Sequence, residues 1–392
     1  MALAAAASPV CPDLAAAEAT DWCIAVIGHT GRGNYGHGLD VMWQQVPGCS
    51  VVAVADADAD GLASAVKRLG GATGFSEYPE MLAKVKPDIV AIAPRHIDQH
   101  LDMVLAAAAV PEVRGIYIEK PYCRSPREAD LIRAACARPP HGVKLAVAHR
   151  NRYHPVLPAV RTVLKDGVIG RILEIRSRGK EDARSGALDA WVLGSHLFDL
   201  ASWIAGPPRA CAAVLYQDGR PCGPSDIRDG DEGVGPIAGN AVHARFEMGD
   251  GTPFFFDSVP SAGVDPDAFG VQVIGTKGLL DFRVDREPLA QIRRGNPHDP
   301  RLAAQPWIPI STAGIGEPEP VRNLAESVAK HQTAALDLLD AIKNNRAPLC
   351  DEQAGATTIE MICAIFESHR LGGARVQLPL TTRDNPLALM AQ

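Results

Sequence analysis

The sequence lacks paired cysteines. Its nine cysteines are an odd number, are scattered, and never occur at the Cys-x-x-Cys spacing; they stand at positions 11, 23, 49, 123, 136, 211, 222, 350 and 363. Disulfide frameworks and structural zinc sites both depend on paired cysteines. We therefore predict a protein of a reducing compartment, the cytoplasm, with neither a disulfide framework nor a zinc site.

Clusters of positive charge and long apolar runs are lacking too. Lysine and arginine total 39 against 46 acidic residues, a formal net charge of −7, and no long basic run occurs. Nucleic-acid binding needs a clustered cationic face, and a membrane-spanning helix needs roughly 18 apolar residues. We expect neither partner. Residues 1–21 are alanine-rich, without early basic residues and with Asp13 and Glu18, which favours a mobile tail over an export signal.

The 392 residues are enough for two domains. Between residues 22 and 150, short apolar runs alternate with helix-compatible segments, which predicts an α/β fold with a doubly wound parallel sheet. After residue 150 most segments are strand-like, interrupted by predicted helices at 151–164, 193–205, 323–343 and 352–369, the first of them broken by Pro155 and Pro158. We predict a second, α+β domain over residues 151–392 with an open, mainly antiparallel sheet, whose C-terminal helices can pack back on the first domain.

The first predicted strand ends in a glycine-rich turn, Gly28-His-Thr-Gly-Arg-Gly-Asn-Tyr-Gly-His37, before a helix-compatible segment at 38–46. Glycines let the backbone approach a pyrophosphate, and amides at a helix start favour its charge. Two registers fit the dinucleotide fingerprint: Gly31, Gly33 and Gly36 by letter, or Gly28, Thr30 and Gly33. We prefer the second, because its first glycine closes the strand.

The second predicted strand ends in Asp56, which favours NAD. A carboxylate at this position can accept hydrogen bonds from an adenosine ribose and would repel the 2′-phosphate of NADP, and no arginine follows it immediately. A helix-capping role is the alternative. The residues expected to contact the cofactor are Gly28, Thr30, Gly31, Arg32, Gly33, Asp56, Ala93, Pro94, His96, Glu119 and Lys120.

A metal site is not expected. His96 and His100 follow the third strand at a spacing of four, but the glutamate of a His-Glu-x-x-His helix is absent. Another strand, Gly115-Ile-Tyr-Ile, runs directly into Glu119-Lys120-Pro121. It places a lysine at the carboxyl end of a strand, where open α/β sheets bind ligands. A solvated ion pair is the alternative.

Together with Ala148-His-Arg-Asn-Arg-Tyr-His-Pro155 and Gly194-Ser-His-Leu-Phe-Asp199, these motifs resemble the Gfo/Idh/MocA oxidoreductases. The resemblance covers nearly the whole chain from about residue 22. It implies an NAD(P)-binding Rossmann domain, a C-terminal open-sheet domain, and Lys120 and His196 as catalytic residues. His196 suits a general base that takes a hydroxyl proton, and Lys120 can hold the developing charge. Asp199 lies one helical step from His196 and can orient it or line the sugar site.

One position departs from the family pattern. Many members have an aspartate four residues before the catalytic histidine, where this chain has Val192. Asp182 or Asp189 is expected to supply a carboxylate, with the choice left open. The polar segment before the histidine helix suits a polyol, and family members often have an arginine at position 152. The residues expected to contact substrate are Arg152, His149, Lys180, Asp182, Arg184, Asp189 and Trp191.

Three functions remain open from the sequence. The leading hypothesis is an NAD-dependent dehydrogenase that oxidises a secondary hydroxyl of a sugar, glycoside or cyclic polyol. The second is a redox-neutral lyase, glycosidase or epimerase that retains NAD and passes through a keto-sugar. The third is a non-catalytic NAD sensor, against which Lys120 and His196 argue. We expect a homo-oligomer, dimer or tetramer, to cover an apolar sheet face. The turn-rich segment 217–240 fits a site-proximal loop, a subunit contact or a disordered segment.

Overall fold

The computed structural model describes residues 22–139, 142–260, 269–303 and 305–390. The predicted N-terminal tail, residues 1–21, lies outside these ranges. No helix within them combines the length and the apolar character that a membrane crossing requires.

The first half of the chain forms a six-stranded parallel sheet of order β3-β2-β1-β4-β5-β6. The strands are β1 (Trp22–Ile27), β2 (Cys49–Ala55), β3 (Thr73–Phe75), β4 (Ile89–Ile92), β5 (Gly115–Ile118) and β6 (Lys144–Val147). The connecting helices are α1 (Ala59–Arg68), α2 (Tyr78–Val85), α3 (His100–Ala109) and α4 (Pro126–Cys136). The strand order reverses between β1 and β4, and ligands bind outside the carboxyl ends of the strands at such a point. The predicted doubly wound sheet is confirmed.

The first crossover differs from the prediction. Instead of a helix over 38–46, the segment has turns followed by a 3-10 helix at Val41–Gln45. Gly36 and Gly38 have φ of +58° and +85°, a left-handed conformation that an α-helix cannot contain. The loop after β1 therefore does not lead directly into an α-helical N-terminus.

The second half forms a larger sheet, of order β18-β17-β16-β15-β14-β7-β13-β12-β8-β19, with β9 on β8 and a separate β10–β11 hairpin. Its strands are β7 (Ile172–Arg178), β8 (Ala210–Gln217), β9 (Arg220–Pro221), β10 (Arg228–Gly230), β11 (Gly235–Ile237), β12 (Ala241–Glu247), β13 (Pro253–Ser258), β14 (Gly270–Gly275), β15 (Gly278–Arg283), β16 (Ala290–Arg294), β17 (Ile308–Ser311), β18 (Gly314–Ile315) and β19 (Val376–Gln377). Within the described ranges, β7 and β13 pair in parallel and the other pairs of this half are antiparallel. The mainly antiparallel sheet is confirmed.

Seven helices accompany this sheet in the described chain: α5 (Leu157–Lys165), α6 (Ala187–Val192), α7 (Gly194–Ala205), α8 (Leu324–Ala329), α9 (Gln332–Lys343), α10 (Glu352–Arg370) and α11 (Pro386–Met390). The predicted helix 151–164 is broken at Pro155, as expected: a 3-10 helix at Arg150–Tyr153 precedes it and α5 follows it. Pro158 does not break α5, because it lies in the first turn of that helix. The predicted helix 323–343 divides at His331, whose φ is +59°. Helix α10 packs against α4 of the first half and β8 of the second.

The outer face of the large sheet carries polar side chains beside apolar ones. His243 Nδ1 lies 2.6 Å from Asp257 Oδ1 on the neighbouring strand, and Arg176 lies over the ring of Phe255 at 4.8 Å. Gln272 donates to Asp281 at 3.2 Å on the same face. Apolar side chains such as Phe255 and Val214 lie among these polar groups on the same face, and the oligomeric state stays a prediction.

Candidate active site

A pocket of about 140 Å³ lies where the carboxyl ends of β5 and β6 meet α6 and α7. Its lining residues are His37, Arg95, Lys120, Ala148, Arg150, Lys180, Arg184, Val192, Leu193, His196, Glu232, Asp285 and His331. A larger groove of about 1130 Å³ is lined by none of the predicted site residues. The smaller pocket is therefore the candidate active site.

Lys120 enters the pocket directly after β5. Its side chain is buried, at 5% exposure, and its Nζ donates a hydrogen bond to the Val192 carbonyl at 2.9 Å. Burial lowers the pKa of Lys120, although the nearby charges of Glu119 and Glu232 oppose this shift. The ammonium is therefore a stronger acid than a solvated lysine and can share a proton with a bound hydroxyl.

Glu119 lies behind Lys120, with no exposed surface. Its carboxylate accepts from the Lys120 backbone amide at 3.1 Å and lies against His37 Nδ1. Burial opposes its ionisation, but the hydrogen bond from His37 and the charges of His37 and Lys120 lower the pKa of Glu119 to about 2. Glu119 is thus a fixed negative charge beneath the pocket.

His196 is presented by helix α7, two residues before Phe198. The Phe198 ring packs against Phe256 at 4.8 Å and anchors the helix on the sheet. Burial, reinforced by the charge of Lys120, lowers the pKa of His196 well below its usual value. Its Nδ1 is buried and has no hydrogen-bond partner among the described residues. A neutral imidazole with a spare nitrogen can accept a proton.

The structure shows which group lies next to Lys120 in place of the missing aspartate. The acceptor is the backbone carbonyl of Val192 itself. Asp189 is fully buried and accepts from the amides of Lys180 and Glu181 at 3.3 and 3.1 Å and from Ser258 Oγ at 2.7 Å. Asp182 binds the side chain of Arg184, with Nε to Oδ1 at 3.0 Å. Both carboxylates therefore bind groups of the segment between β7 and α6, and neither binds Lys120.

The other predicted residues beside His196 form a buried cluster behind it. Arg152 Nη1 donates to Asp199 Oδ1 at 2.7 Å, and the Cys350 thiol lies 3.7 Å from the same oxygen. The His149 ring is 5.3 Å from the His196 ring, and burial lowers the pKa of His149 to about 4. Possible ligand atoms of His149, Asp199 and Cys350 lie within 4.8 Å of one another, but Arg152 already neutralises the carboxylate.

The predicted substrate contacts divide into two groups. Lys180 and Arg184 line the pocket. Trp191 is fully buried and packs against Phe366 at 6.3 Å, so its ring faces the core of the second half and not the pocket. Arg152, His149, Asp182 and Asp189 lie outside the lining. His149, Asp182 and Asp189 contact residues that belong to it, whereas Arg152 binds Asp199 behind it.

The glycine loop has one open position. A Cβ on Gly28 would lie 2.2 Å from the Tyr35 ring, and a Cβ on Gly33 would lie 2.2 Å from the Arg95 amide nitrogen, so both glycines are required by the protein's own packing. At Gly31, with φ +83°, no atom lies within 4 Å of such a Cβ. Arg32 is exposed and pairs with Asp98. The backbone at Gly31 can thus be approached closely, as a pyrophosphate requires.

Asp56 ends β2 as predicted, but its carboxylate is engaged. It accepts from the Thr30 amide at 3.1 Å, from Thr30 Oγ1 at 2.7 Å and from the Tyr35 hydroxyl at 2.8 Å. Burial opposes its ionisation, but these hydrogen bonds lower the pKa of Asp56. Hydrogen bonds therefore join the glycine loop to Asp56. A ribose that binds Asp56 would have to replace the Thr30 or Tyr35 hydroxyl as a hydrogen-bond donor to the carboxylate.

The remaining predicted cofactor contacts lie after β4. Ala93 is buried beside the loop, where a Cβ on Gly36 would lie 2.5 Å from its carbonyl oxygen. The Pro94 carbonyl lies 2.8 Å from His100 Nε2. His96 Nδ1 is buried without a hydrogen-bond partner in the described chain, so it can still bind a ligand.

Several lining residues were not predicted from the sequence. Arg95 and Arg150 stand inside motifs that were singled out, so their position was a usable signal. Glu232 belongs to the turn-rich segment 217–240 and has φ +58°, while Asp285 pairs with Arg150 at 2.8 Å. No sequence signal marks His331, whose Nδ1 lies 2.7 Å from the Tyr117 hydroxyl.

Two family models match successive parts of the chain. A family model described as "Oxidoreductase family, NAD-binding Rossmann fold", of the Gfo/Idh/MocA group, matches residues 23–149, and its partner, "C-terminal alpha/beta domain", matches residues 161–378. A D-apiose dehydrogenase of Paraburkholderia graminis is 29% identical over 185 residues, 44% of this chain and 47% of the relative. A levoglucosan dehydrogenase of Pseudarthrobacter phenanthrenivorans is 24% identical over 266 residues, 61% of this chain and 66% of the relative.

Each of these alignments spans less than two-thirds of the relative's own length. Among solved structures, a levoglucosan dehydrogenase in complex with NADH and levoglucosan superposes with a TM-score of 0.70 at 20% identity, covering 91% of this chain and 99% of that one. This likeness establishes the shared fold.

Proposed function

The chain belongs to the Gfo/Idh/MocA oxidoreductase family, and from this premise we propose that it is an NAD-dependent dehydrogenase of sugars. The substrate is a sugar, glycoside or cyclic polyol, and the reaction removes hydride from the carbon of a secondary hydroxyl. The names of the two relatives, dehydrogenases of D-apiose and levoglucosan, support a carbohydrate substrate.

One observation carries the proposal: Lys120 and His196 line the same small pocket at the carboxyl edge of the parallel sheet. When bound, NAD supplies the hydride acceptor. His196 is neutral, because its pKa is lowered well below the usual value, and takes the hydroxyl proton. Lys120 donates a hydrogen bond to the same oxygen as negative charge develops on it. The Val192 carbonyl holds the ammonium in place for this contact.

We propose that Gly31 and the neighbouring amides hold the pyrophosphate, and that Asp56 makes NAD the preferred cofactor over NADP. Asp56 stays ionised because its hydrogen bonds lower its pKa, and a fixed carboxylate repels a 2′-phosphate. His96 is a further candidate for a cofactor contact, since its buried Nδ1 lacks a partner in the described chain.

A panel of sugars, glycosides and cyclic polyols, each incubated with the purified protein and NAD, tests this function. NADH is followed by its absorbance and the products by mass spectrometry. The expected result is one equivalent of NADH for each keto product. Conversion of a panel member without free NADH would replace the proposal by a redox-neutral reaction with retained NAD, and no NADH or product from any member would reject both.

A further inference from the structure

The charge of the pocket is opposite in sign to that of the chain. Five basic side chains line it, from Arg95, Lys120, Arg150, Lys180 and Arg184, against two acidic ones, from Glu232 and Asp285. The whole chain has a formal charge of −7. With Glu119 beneath the pocket and Asp182 beside Arg184 also counted, the five cations still outnumber the four acidic groups, an excess for which a neutral sugar offers no partner.

The cations of the pocket differ in how far they are already compensated. Arg150 pairs with Asp285 at 2.8 Å, and Lys120 donates to a carbonyl. Lys180, by contrast, has no side-chain hydrogen bond or ion pair among the described residues. Arg184 pairs with Asp182, but both side chains keep 33% of their surface exposed. Lys180 and Arg184 can therefore both bind an incoming anion.

These two cations lie away from the expected pyrophosphate site. They belong to the connection between β7 and α6 in the second half, whereas the glycine loop follows β1 and contributes none of residues 28–33 to the pocket lining. Arg95 follows β4 beside Gly33, so its charge is better placed for the cofactor. Lys180 and Arg184 are thus placed to bind the substrate and not the cofactor.

Hydrogen bonds fix the backbone of the segment that carries the two cations. The buried carboxylate of Asp189 accepts from the amides of Lys180 and Glu181, and the Arg184 amide donates to Asp182 at 3.0 Å. The pocket volume of about 140 Å³ is below the roughly 300–1,000 Å³ of pockets for drug-sized ligands. It suits one sugar ring or short polyol.

We propose that the substrate of this site is a sugar acid, a polyol or ring of monosaccharide size whose carboxylate is bound by Lys180 and Arg184. The inference rests on the proposed function, because it places the secondary hydroxyl at Lys120 and His196. Glu232, an acidic residue of the pocket lining, accepts hydrogen bonds from the remaining hydroxyls of the substrate.

Matched pairs that differ only in the anion test the inference. Methyl glucoside and methyl glucuronide, and the corresponding galactosides and mannosides, are titrated calorimetrically into the full-length protein with NADH present. In at least one pair the acid is expected to bind 10-fold or more tightly than its neutral partner. Lys180→Met and Arg184→Met should each weaken binding of the acid by roughly 10- to 100-fold, the range for a charged hydrogen bond, and weaken binding of the neutral partner by a smaller factor.

Lys165→Met and Arg171→Met, which change exposed residues outside the pocket, serve as matched controls and should leave the preference intact. Equal or tighter binding of the neutral member in every pair, or no binding by any acid, would overturn the inference. So would an acid preference that persists in both pocket variants, or tighter binding of a sugar phosphate than of its carboxylate counterpart.

The same compounds, incubated with NAD, separate this inference from the proposed function. Oxidation of neutral sugars alone would leave the dehydrogenase standing and overturn the sugar-acid assignment. Tight, Lys180-dependent binding of an acid without NADH or product would support the anion site and reject the dehydrogenase.

Discussion

On the Rossmann side of the pocket, Lys120 and Glu119 are buried and each has a hydrogen-bond partner. On the side of the second half, the buried His196 Nδ1 has no hydrogen-bond partner among the described residues, and the exposed Lys180 side chain has none either. Fully partnered groups fix the shape of a site before ligand arrives, and unpartnered groups are the ones a ligand can satisfy. We call Lys120 and Glu119 the first wall of the pocket and His196, Lys180 and Arg184 the second wall. The first wall therefore sets the position of the reacting oxygen, and the second wall selects the substrate.

Removing the reactive side chain of Lys120 or of His196 should give the largest loss of turnover. Lys120→Ala and His196→Ala are each expected to lower turnover by more than ~100-fold, because a positioned acid or base contributes typically 10²–10⁴-fold. NAD binding, measured by fluorescence titration, should be retained. The exposed Lys165→Ala and His298→Ala variants are the controls, and normal turnover in either pocket variant would remove that residue from the mechanism.

The stability of the first wall should depend on Glu119. Its folded-state pKa of about 2 is below the usual 4.5, so its contribution is complete above pH about 4.5 and is lost as the pH falls towards 2. Glu119→Gln should cost roughly 2–3 kcal/mol of unfolding free energy at neutral pH. Urea unfolding from pH 7 down to pH 3 measures this, with the exposed Glu317→Gln as control. A wild-type advantage that does not shrink below pH 4.5 would contradict the assignment.

The position of the second wall should depend on Asp189. Asp189→Asn puts a donor against the amides of Lys180 and Glu181, so we expect KM for the substrate to rise about 10-fold through displaced pocket residues. The kcat value should fall less, and the affinity for NAD should not change. Steady-state kinetics beside the exposed Asp166→Asn variant test this. A fall in kcat at constant KM would mean that Asp189 acts on the reaction itself.

Away from both walls, Asp56→Ala should have the smallest effect. Loss of the carboxylate frees the Thr30 and Tyr35 hydroxyls, and NAD is expected to bind about 5- to 10-fold more weakly, at the scale of a lost hydrogen bond. The preference for NAD over NADP should narrow. Titration of both cofactors, with exposed Asp60→Ala as control, gives the ratio; tighter binding of NADP by the unaltered protein would reverse the assignment.

Much of the first domain could be predicted because its signals are local. Apolar runs of strand length ending in Gly28, Asp56 and Lys120 place all three at one edge of a parallel sheet. The predicted helix over 38–46 was wrong because Gly36 and Gly38 adopt a left-handed backbone conformation, although glycine is also compatible with a helical sequence pattern. Local composition does not reveal which conformation a glycine takes.

The second wall could be predicted only in part because its contacts are long-range. Lys180 and Arg184 were identified, since charged residues before the histidine helix are a visible pattern. Trp191 has the same neighbours in sequence, yet it faces the core, and a short helix buried on all sides carries no periodic signal for direction. The group beside Lys120 is the backbone carbonyl of Val192. Every residue type has a backbone carbonyl, so the sequence does not predict this contact.

The pH dependence of kcat/KM for the wild type and His196→Gln, with NAD and an identified sugar substrate, tests the central claim most directly. For the wild type, kcat/KM should stay constant from neutral pH to below 6.5 and then fall, because His196 must be neutral and its pKa is lowered. A fall on the alkaline side should begin below pH 10.5, where Lys120 loses its proton. The residual activity of His196→Gln should lack the acid-side fall; the same acid-side fall in both proteins would contradict the account.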